Sequence, residues 1–365
     1  MKPVKIYAEH VEQTALDQFA SAMEQDFSVK GALMPDTHTG YSLPIGAVVA
    51  TEGVILPSWV GYDIGCGMCA LPTSFPVEQV RQNSKAIFDA IHEVVPVGFN
   101  SHQHPVDCHL NPDDLSPLGR AAFDKRRGFR ALGTLGGGNH FIEIGVSGCD
   151  QVWVVIHSGS RGVGHGIATE YMRLASGDGK VREGHFGFDV TSADGLAYIN
   201  DLNWALEFAL ENRKEIMEQV MAALMWRCDG DAGWGSLINR NHNHAQEKDG
   251  LWIHRKGATH AEAGMEGVIP GNMRDGSFIV RGKGNPEALW SSSHGAGRVM
   301  GRKQAKRELS TAEFEATMDG ITATVGDSTL DESPMAYKDI FEVMRLQADL
   351  VDVMDHVVPI LNVKG

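Results

Sequence analysis

The sequence lacks any run of 18 or more apolar residues, which is the minimum for a helix that crosses a bilayer. Its five cysteines are an odd number in a chain of 365 residues, which is not the pattern of a small secreted domain held by disulfides. The first residues soon turn polar and do not resemble a secretory leader. We therefore expect a cytoplasmic protein without a membrane partner.

Positively charged residues are also few, since the chain has 32 Lys and Arg residues and 47 Asp and Glu residues, which gives a formal net charge of −15. A chain this acidic is not expected to coat nucleic acid non-specifically, although it can still hold a local basic groove. Repeats, low-complexity segments and Pro/Gly/Ser linkers are also missing. The sequence therefore predicts a single domain, residues 1–365, around one cleft.

The common nucleotide-binding motifs are absent, because neither a G-x-x-x-x-G-K-[ST] loop nor a G-x-G-x-x-G fingerprint occurs. Apolar runs at residues 44–50 and 151–156 predict buried strands, whereas residues 11–26, 77–95, 201–228 and 341–358 have helical spacing. Residues 31–40, which mix Pro, Asp and His, are predicted to be a loop. The fold class we expect is α/β, with mixed sheets and helices around a polar cleft.

A first candidate site lies at residues 61–69, where three glycines surround Asp63 and Cys66. A carboxylate three residues before a thiol can bind one cation from one turn, and the metal itself favours the thiolate. Cys66 and Cys69 also form a C-x-x-C, which is typical of a redox pair or half a zinc site. No second C-x-x-C follows, so we rank Asp63 and Cys66 as metal ligands and Cys69 as a buried apolar residue.

Three further segments carry candidate side chains. A triple glycine leads into Asn139 and His140 and then into an apolar strand with Glu143. A carboxylate there is costly without a partner, and a guanine base, with N1–H and N2–H, would suit it. His157 ends a buried strand, and His242 lies among amides, with His244 as the other candidate there. Thiolate and imidazole ligands alone favour zinc.

The segment around His294 holds this histidine between three serines and a Gly-x-Gly, followed by basic residues. A neutral imidazole there can donate a hydrogen bond, act as a base or attack phosphorus, whereas the alternative is a glycine turn with an incidental histidine. Basic residues next to glycine loops favour phosphate chemistry. The candidates are Arg161, Arg255, Lys256, Arg298 and Lys303, with residues 120–130 as a solvated helix face or a phosphate patch.

Six motifs in this order resemble the RtcB family of GTP-dependent RNA-splicing ligases. They are residues 61–68, 137–143, 157–162, 254–259, 294–298 and 363–365. The resemblance implies a single-domain RtcB-type α/β fold, two manganese ions and a covalent histidine–GMP intermediate. Manganese therefore replaces zinc as the expected metal.

Carried over by position, the resemblance makes His294 the guanylated nucleophile. Asp63 and Cys66 match metal ligands, with the cysteine shared by both ions; His140 matches a ligand of one ion, and His157 and His242 match ligands of the other. The residues that match GTP-binding segments are Asn139, His140, Phe141, Ile142, Glu143, His242, Asn243, Pro270, Gly271, Asn272, Met273, Ser277, Gly295, Ala296, Gly297, Tyr337 and Lys364. Tyr337 is expected to stack on or flank the guanine.

The implied activity joins an RNA 2′,3′-cyclic phosphate or 3′-phosphate end to a 5′-hydroxyl end, in RNA repair or tRNA splicing. A monomer is expected, and the need for an activating protein stays open. The alternative is a metal-dependent phosphoesterase that hydrolyses such ends without GTP. The sequence departs from the family pattern at Asn272, where many relatives have serine, at Tyr62, in residues 97–130 and in its short length. We expect these departures to affect substrate choice more than the chemical steps.

Overall fold

Helices and strands are interspersed along the chain in the computed structural model, which describes residues 2–365, and this confirms the predicted α/β class. The helices found among these residues are α1 (Gln13–Glu24), α2 (Pro57–Val60), α3 (Val77–Gln82), α4 (Ser84–Val94), α5 (Pro117–Lys125), α6 (Arg161–Ala175), α7 (Ala193–Met225), α8 (Arg302–Glu308), α9 (Thr311–Thr317) and α10 (Ile340–Leu346). The strands are β1 (Val4–Ile6), β2 (Ser28–His38), β3 (Ile45–Thr51), β4 (Val54–Ile55), β5 (Gly67–Pro72), β6 (Phe141–Val146), β7 (Val152–Ser158), β8 (Phe188–Asp189), β9 (Ile238–Asn241), β10 (Asn243–Lys248), β11 (Leu251–Lys256), β12 (Ala258–His260), β13 (Glu266–Pro270), β14 (Ser277–Gly282), β15 (Ser291–Ser293), β16 (Thr322–Ala323) and β17 (Val351–Lys364).

Two large sheets organise the strands. The eight-stranded sheet has the order β13-β14-β17-β6-β7-β5-β9, with β16 added on β17, and the five-stranded sheet has the order β1-β2-β3-β11-β10. Two-stranded sheets join β12 with β15 and β4 with β8. Strand β9 ends at Asn241 in the larger sheet and β10 begins at Asn243 in the smaller one. His242 is therefore the one residue that connects the two sheets at this point.

The largest hydrophobic cluster lies between the eight-stranded sheet and α7. Ile142 and Ile144 of β6 and Ile156 of β7 point into it, where they meet Ile216 and Val220 of the helix. Because side chains alternate along a strand, Phe141 lies on the other face of β6, in a separate cluster. No helix among residues 2–365, α7 included, combines the length and the apolar character that a bilayer span requires.

Three secondary-structure predictions are wrong. Residues 341–358 hold only a short helix, α10, and then β17, which pairs with both β6 and β14. Residues 31–40 belong largely to β2, a strand between β1 and β3. Residues 77–95 form two helices that meet at Asn83. In the first two cases pairing with distant strands decided the conformation, which local spacing does not report.

Arg213 of α7 binds the ends of several strands at once. Its guanidinium is fully buried and donates to the carbonyl oxygens of Gly65 at 2.8 Å and Ser158 at 3.0 Å. It also donates to the amide oxygens of Asn239 and Asn241, both at 2.7 Å. Burial lowers the pKa of Arg213 to about 10, so it stays charged at neutral pH. One side chain thus satisfies four acceptors on β7, β9 and the loop before β5, and the two carbonyl oxygens among them are buried.

We expect Arg213→Met to destabilise the protein by about 2–5 kcal/mol, because two buried carbonyl oxygens and two part-buried amide oxygens lose their donor while the apolar volume is kept. Urea unfolding followed by circular dichroism measures the change. Lys214→Met is the matched control, since the Lys214 side chain is 47% exposed. Equal unfolding midpoints for the two variants would show that the Arg213 contacts carry no stability.

Candidate active site at the junction of the two sheets

Three buried side chains from different strands bring their donor atoms together. The Cys66 Sγ lies 3.2 Å from the His157 Nε2, which lies 3.3 Å from the His242 Nε2. Cys66 precedes β5, His157 belongs to β7 and His242 connects β9 to β10. One sulfur and two imidazole nitrogens at such distances form the kind of cluster that holds a transition metal.

A second group shares the same cysteine. The His140 Nε2 lies 3.4 Å from the Cys66 Sγ and 3.1 Å from the Asp63 Oδ2. Asp63, Cys66 and His140 can therefore hold a cation of their own. Since Cys66 belongs to both groups, its thiolate could be a ligand of two neighbouring ions.

The orientation of the histidine rings suits metal binding. The Nδ1 of His157 lies 3.1 Å from the carbonyl oxygen of Asn139, and the Nδ1 of His140 lies 2.9 Å from that of Leu135. Because a carbonyl oxygen only accepts, the His157 Nδ1 carries the proton and its Nε2 presents a lone pair to the cluster. The His140 Nδ1 also lies 3.1 Å from the Nη1 of Arg161. Burial lowers the pKa of His157 well below its usual range, which keeps the ring neutral. These donors fit a divalent transition metal.

The surroundings of the Cys66 thiol also favour a bound cation. Burial and the nearby Asp63 carboxylate raise the pKa of this thiol well above its usual value. A bound cation reverses both effects and favours the thiolate. Burying these polar atoms next to one another is thus unfavourable in the absence of a cation. A positive charge shared among them would offset this cost.

His294 follows β15 and lies beside this cluster. Its ring centroid is 4.8 Å from that of His242, and the two planes meet at 71°. Its Nδ1 lies 2.6 Å from the Oδ2 of Asp36, a fully buried residue of β2. The carboxylate accepts the Nδ1–H, so in the neutral ring the lone pair lies on the Nε2. Gly257, at φ +62°, gives the ring room, because a Cβ there would come within 3.0 Å of the His294 Cε1.

A cavity of about 300 Å³ opens next to His294. Phe141 and Glu143 of β6 form one wall, residues 270–273 and 295–297 form another, and Tyr337 and Lys364 close the far end. Aromatic rings, a carboxylate and glycine backbone in one concave site are typical of a pocket for a small ligand.

Glu143 is the most unusual group in the cavity wall. Its side chain is buried, and its Oε1 has no hydrogen-bond partner among residues 2–365. Burial raises its pKa to about 8, although Ser277 and Lys364 act in the opposite direction. A buried carboxylate oxygen without a partner is costly, so its position on a cavity indicates a ligand that donates hydrogen bonds to it.

Glu332, by contrast, has several cationic and hydroxyl partners at the far end of the cavity. It accepts from Lys364 at 2.6 Å and from the Tyr337 hydroxyl at 2.7 Å. Its burial would raise its pKa, but Lys364 and Arg302 outweigh this and lower it to about 2. The Lys364 ammonium also lies 5.3 Å from the centre of the Phe141 ring. The last strand of the chain thus brings a lysine into the cavity.

The cavity contains most of the residues predicted for nucleotide binding. Those that line it are Asn139, Phe141, Glu143, Pro270, Gly271, Asn272, Met273, Gly295, Ala296, Gly297, Tyr337 and Lys364. His140 and His242 belong to the metal-type clusters instead.

Three other predicted nucleotide residues lie outside the cavity wall. Ile142 points into the core beneath β6. Asn243 accepts from the Gly257 N–H at 2.8 Å and donates to the Asp63 carbonyl at 3.2 Å. Ser277 is fully buried next to Glu143.

Two of the predicted phosphate-binding residues are placed elsewhere. Arg255 is fully buried and donates to Ser291, and Lys256 donates to the Ser58 carbonyl oxygen at 3.0 Å, so neither lines a cavity. Arg298 lines the cavity beside His294, and Arg161 lines a second cavity. Lys303 is exposed and lines neither.

Sequence reasoning missed several residues of the site. Asp36 holds His294, His38 and Asn362 line the cavity, and Glu332 fixes Lys364. Asp36 lies 258 residues from His294 in the chain, which hides the pairing. The signal available was a carboxylate inside an otherwise apolar stretch, the same signal that singled out Glu143.

The fold and the site together define an α/β enzyme with a candidate metal centre beside a ligand cavity. A profile of the family described as "tRNA-splicing ligase RtcB" matches residues 18–118 and 114–365. The chain belongs to the RtcB family, which confirms the resemblance seen in the six motifs.

Individual relatives match over nearly their full lengths. The RNA-splicing ligase RtcB of Escherichia coli K12 is 36% identical over 397 aligned positions, covering 100% of this chain and 97% of the relative. The tRNA-splicing ligase RtcB of Aeropyrum pernix is 31% identical, covering 92% and 87%, respectively. That of Pyrobaculum aerophilum is 30% identical, covering 94% and 90%.

We expect Cys66→Ala to lower the affinity for manganese at least roughly tenfold, because both groups lose a shared ligand. Elemental analysis after loading with Mn²⁺ and gel filtration measures the bound metal. Cys149→Ala is the matched control, since Cys149 is an exposed thiol. Equal metal content in the two variants would exclude Cys66 as a ligand.

Proposed function

We propose that the chain is a GTP- and manganese-dependent RNA ligase that joins an RNA 2′,3′-cyclic phosphate or 3′-phosphate end to a 5′-hydroxyl end. The observation that carries this proposal is the buried, unpartnered Glu143 oxygen in a cavity that also contains His294. A guanine base donates through N1–H and N2–H and would satisfy that oxygen. The printed names of the relatives, RNA- and tRNA-splicing ligases, agree with the proposed reaction class.

His294 is the proposed nucleophile. Asp36 accepts the proton of its Nδ1, so the lone pair of the Nε2 is free to attack. A bond forms between the Nε2 and the α-phosphorus of GTP, the bond to the bridging oxygen breaks, and pyrophosphate leaves. The GMP stays on the ring as a phosphoramidate, which is labile because a protonated imidazole leaves easily.

The remaining steps use the same centre. A cyclic phosphate is first hydrolysed to a 3′-phosphate. An oxygen of the 3′-phosphate then attacks the GMP phosphorus, the P–N bond breaks, and His294 is regenerated. A 5′-hydroxyl finally attacks the RNA 3′-phosphorus and releases GMP, which seals the strand.

The residues proposed to hold two manganese ions are Asp63, Cys66, His140, His157 and His242. When bound, these ions would neutralise phosphate charge and favour in-line displacement. Phe141 and Tyr337 would flank the base, with Glu143 at its hydrogen-bonding edge. We propose that residues 1–365 act as one ligase domain, as a monomer, in RNA repair or tRNA splicing.

The alternative, a phosphoesterase that works without GTP, has no use for a cavity with a buried acceptor beside His294. Incubation with a 2′,3′-cyclic phosphate RNA separates the two functions. A ligase yields joined strands only when GTP and Mn²⁺ are present, whereas a phosphoesterase yields unjoined, hydrolysed ends whether or not GTP is added.

We expect His294→Ala to abolish labelling by α-³²P GTP in the presence of Mn²⁺, because the attacking nitrogen is removed. Denaturing gels measure the acid-labile adduct. His92→Ala is the control, since His92 is an exposed histidine on α4. A full adduct in His294→Ala would place the covalent bond on another residue.

Binding of GMP should strengthen as the pH rises from 6 to 8. Glu143 has a pKa of about 8, so its carboxyl is protonated below this pH and must release the proton to accept both N–H groups of guanine. Well below pH 8 the affinity should therefore rise about tenfold per pH unit and level off above it. Isothermal titration calorimetry measures this dependence.

Glu143→Gln should remove the pH dependence and weaken GMP binding roughly tenfold, because an amide offers one acceptor where guanine needs two. Glu315→Gln on α9 is the control, since Glu315 is exposed. A pH slope that persists in Glu143→Gln would assign the titration to a different group.

A further inference from the structure

A second cavity, of about 710 Å³, opens on the other side of the metal-type clusters. Asp63 and His140 line it, whereas His157 and His294 line the first cavity. Its outer wall is formed by residues 98–101, residues 125–127 and the glycines at positions 137 and 138. The two cavities thus approach the same group of donors from different directions, and the proposed nucleotide site occupies only one of them.

The second cavity is positively charged in a chain whose formal net charge is −15. Lys125, Arg126 and Arg127 are exposed at its rim, Arg161 lies in its wall, and Asp63 is the one carboxylate that lines it. None of these four cations has a carboxylate partner within 4.0 Å among residues 2–365. Four unpaired cations around one concave surface suit a polyanion.

Phe99 stands at the same rim and is 99% exposed. The loop that carries it is fixed, because Arg127 donates to the Phe99 carbonyl oxygen at 3.1 Å and to the Ser101 hydroxyl at 2.9 Å. Gly98 donates to the Gly136 carbonyl at 2.7 Å. A fully exposed phenylalanine on a held loop, at the rim of a cationic cavity, presents its ring to a ligand that enters the cavity.

We propose that Phe99 is a stacking platform for a base of the RNA strand that reaches the metal-type clusters through the second cavity, with Lys125, Arg126 and Arg127 bound to its phosphates. Proteins that hold single-stranded RNA combine a cationic groove with an aromatic side chain on which a base stacks. This inference rests on the proposed function and adds a residue that positions the RNA. The strand is either the one with the 3′-phosphate or the one with the 5′-hydroxyl.

Fluorescence anisotropy with two 12-nucleotide RNAs tests the proposal. One carries a 3′-phosphate and a fluorophore on its 5′ end, and the other carries a 5′-hydroxyl and a fluorophore on its 3′ end. Phe99→Ala should weaken binding of one of them roughly 5- to 150-fold, the range for the loss of one stacked base. Phe99→Trp should restore it. Trp226→Ala, which removes an aromatic that is 86% exposed on the chain but lines neither cavity, should change neither affinity.

RNAs with a single abasic site locate the stacked base. In the unchanged protein, one abasic position near the reacting end should weaken binding, and the same position should have no further effect in Phe99→Ala. The proposal is overturned if Phe99→Ala binds both RNAs within twofold of the unchanged protein, or if abasic effects are identical in the two proteins.

Separate experiments test the ligase function and the role of Phe99. Labelling by GTP without RNA tests the ligase function, and it should be unchanged in Phe99→Ala. If the unchanged protein forms no GMP adduct, the ligase proposal fails, while the anisotropy result still decides whether Phe99 contacts an RNA base.

Discussion

The site depends on the buried guanidinium of Arg213. Two of its acceptors, Gly65 and Ser158, are the sequence neighbours of Cys66 and His157, and a third, Asn241, is the neighbour of His242. Each member of the cysteine–histidine group is therefore held through the backbone or amide next to it. Because a planar guanidinium fixes the directions of its donors, one side chain positions three proposed ligands that come from three separate strand ends. Its charge also offsets the negative charge that a thiolate and a carboxylate would bring to the buried centre.

The two buried carboxylates at the first cavity differ in their partners. Lys364 and Arg302 stabilise Glu332 as an anion, whereas Glu143, in the same cavity, has no comparable partner and a raised pKa. The two carboxylates thus have different roles: Glu332 is bound by groups of the protein itself, whereas Glu143 is proposed to bind a ligand. The exposed cations lie on the opposite side, around the second cavity. Local groups of cations of this kind let a strongly acidic protein suit anionic ligands.

Much of the site could be predicted from the sequence, because glycine-rich motifs place Asp63, Cys66, His140 and His157 at the ends of buried strands. Their arrangement could not, since which strand ends meet is decided by sheet order. The error at residues 341–358 has the same origin: valines and leucines there satisfy helical and strand spacing alike, and only pairing with β6 and β14 selects the strand. Asp36 was missed because its partner is distant in sequence, and the metal, the nucleotide and the covalent bond stay predictions that the chain itself does not identify.

The proposed nucleophile and the proposed metal ligands belong to different parts of the fold. His294 is positioned by Asp36 on the five-stranded sheet, whereas Cys66 and His157 are positioned by the eight-stranded sheet. His242 joins them, both as the residue between β9 and β10 and as the ring that contacts both His157 and His294. A one-residue connection leaves the sheets little freedom to move apart at this point. The distance between the proposed attacking nitrogen and the proposed metal ligands is thereby set by the backbone, and it does not have to be established by the bound substrate.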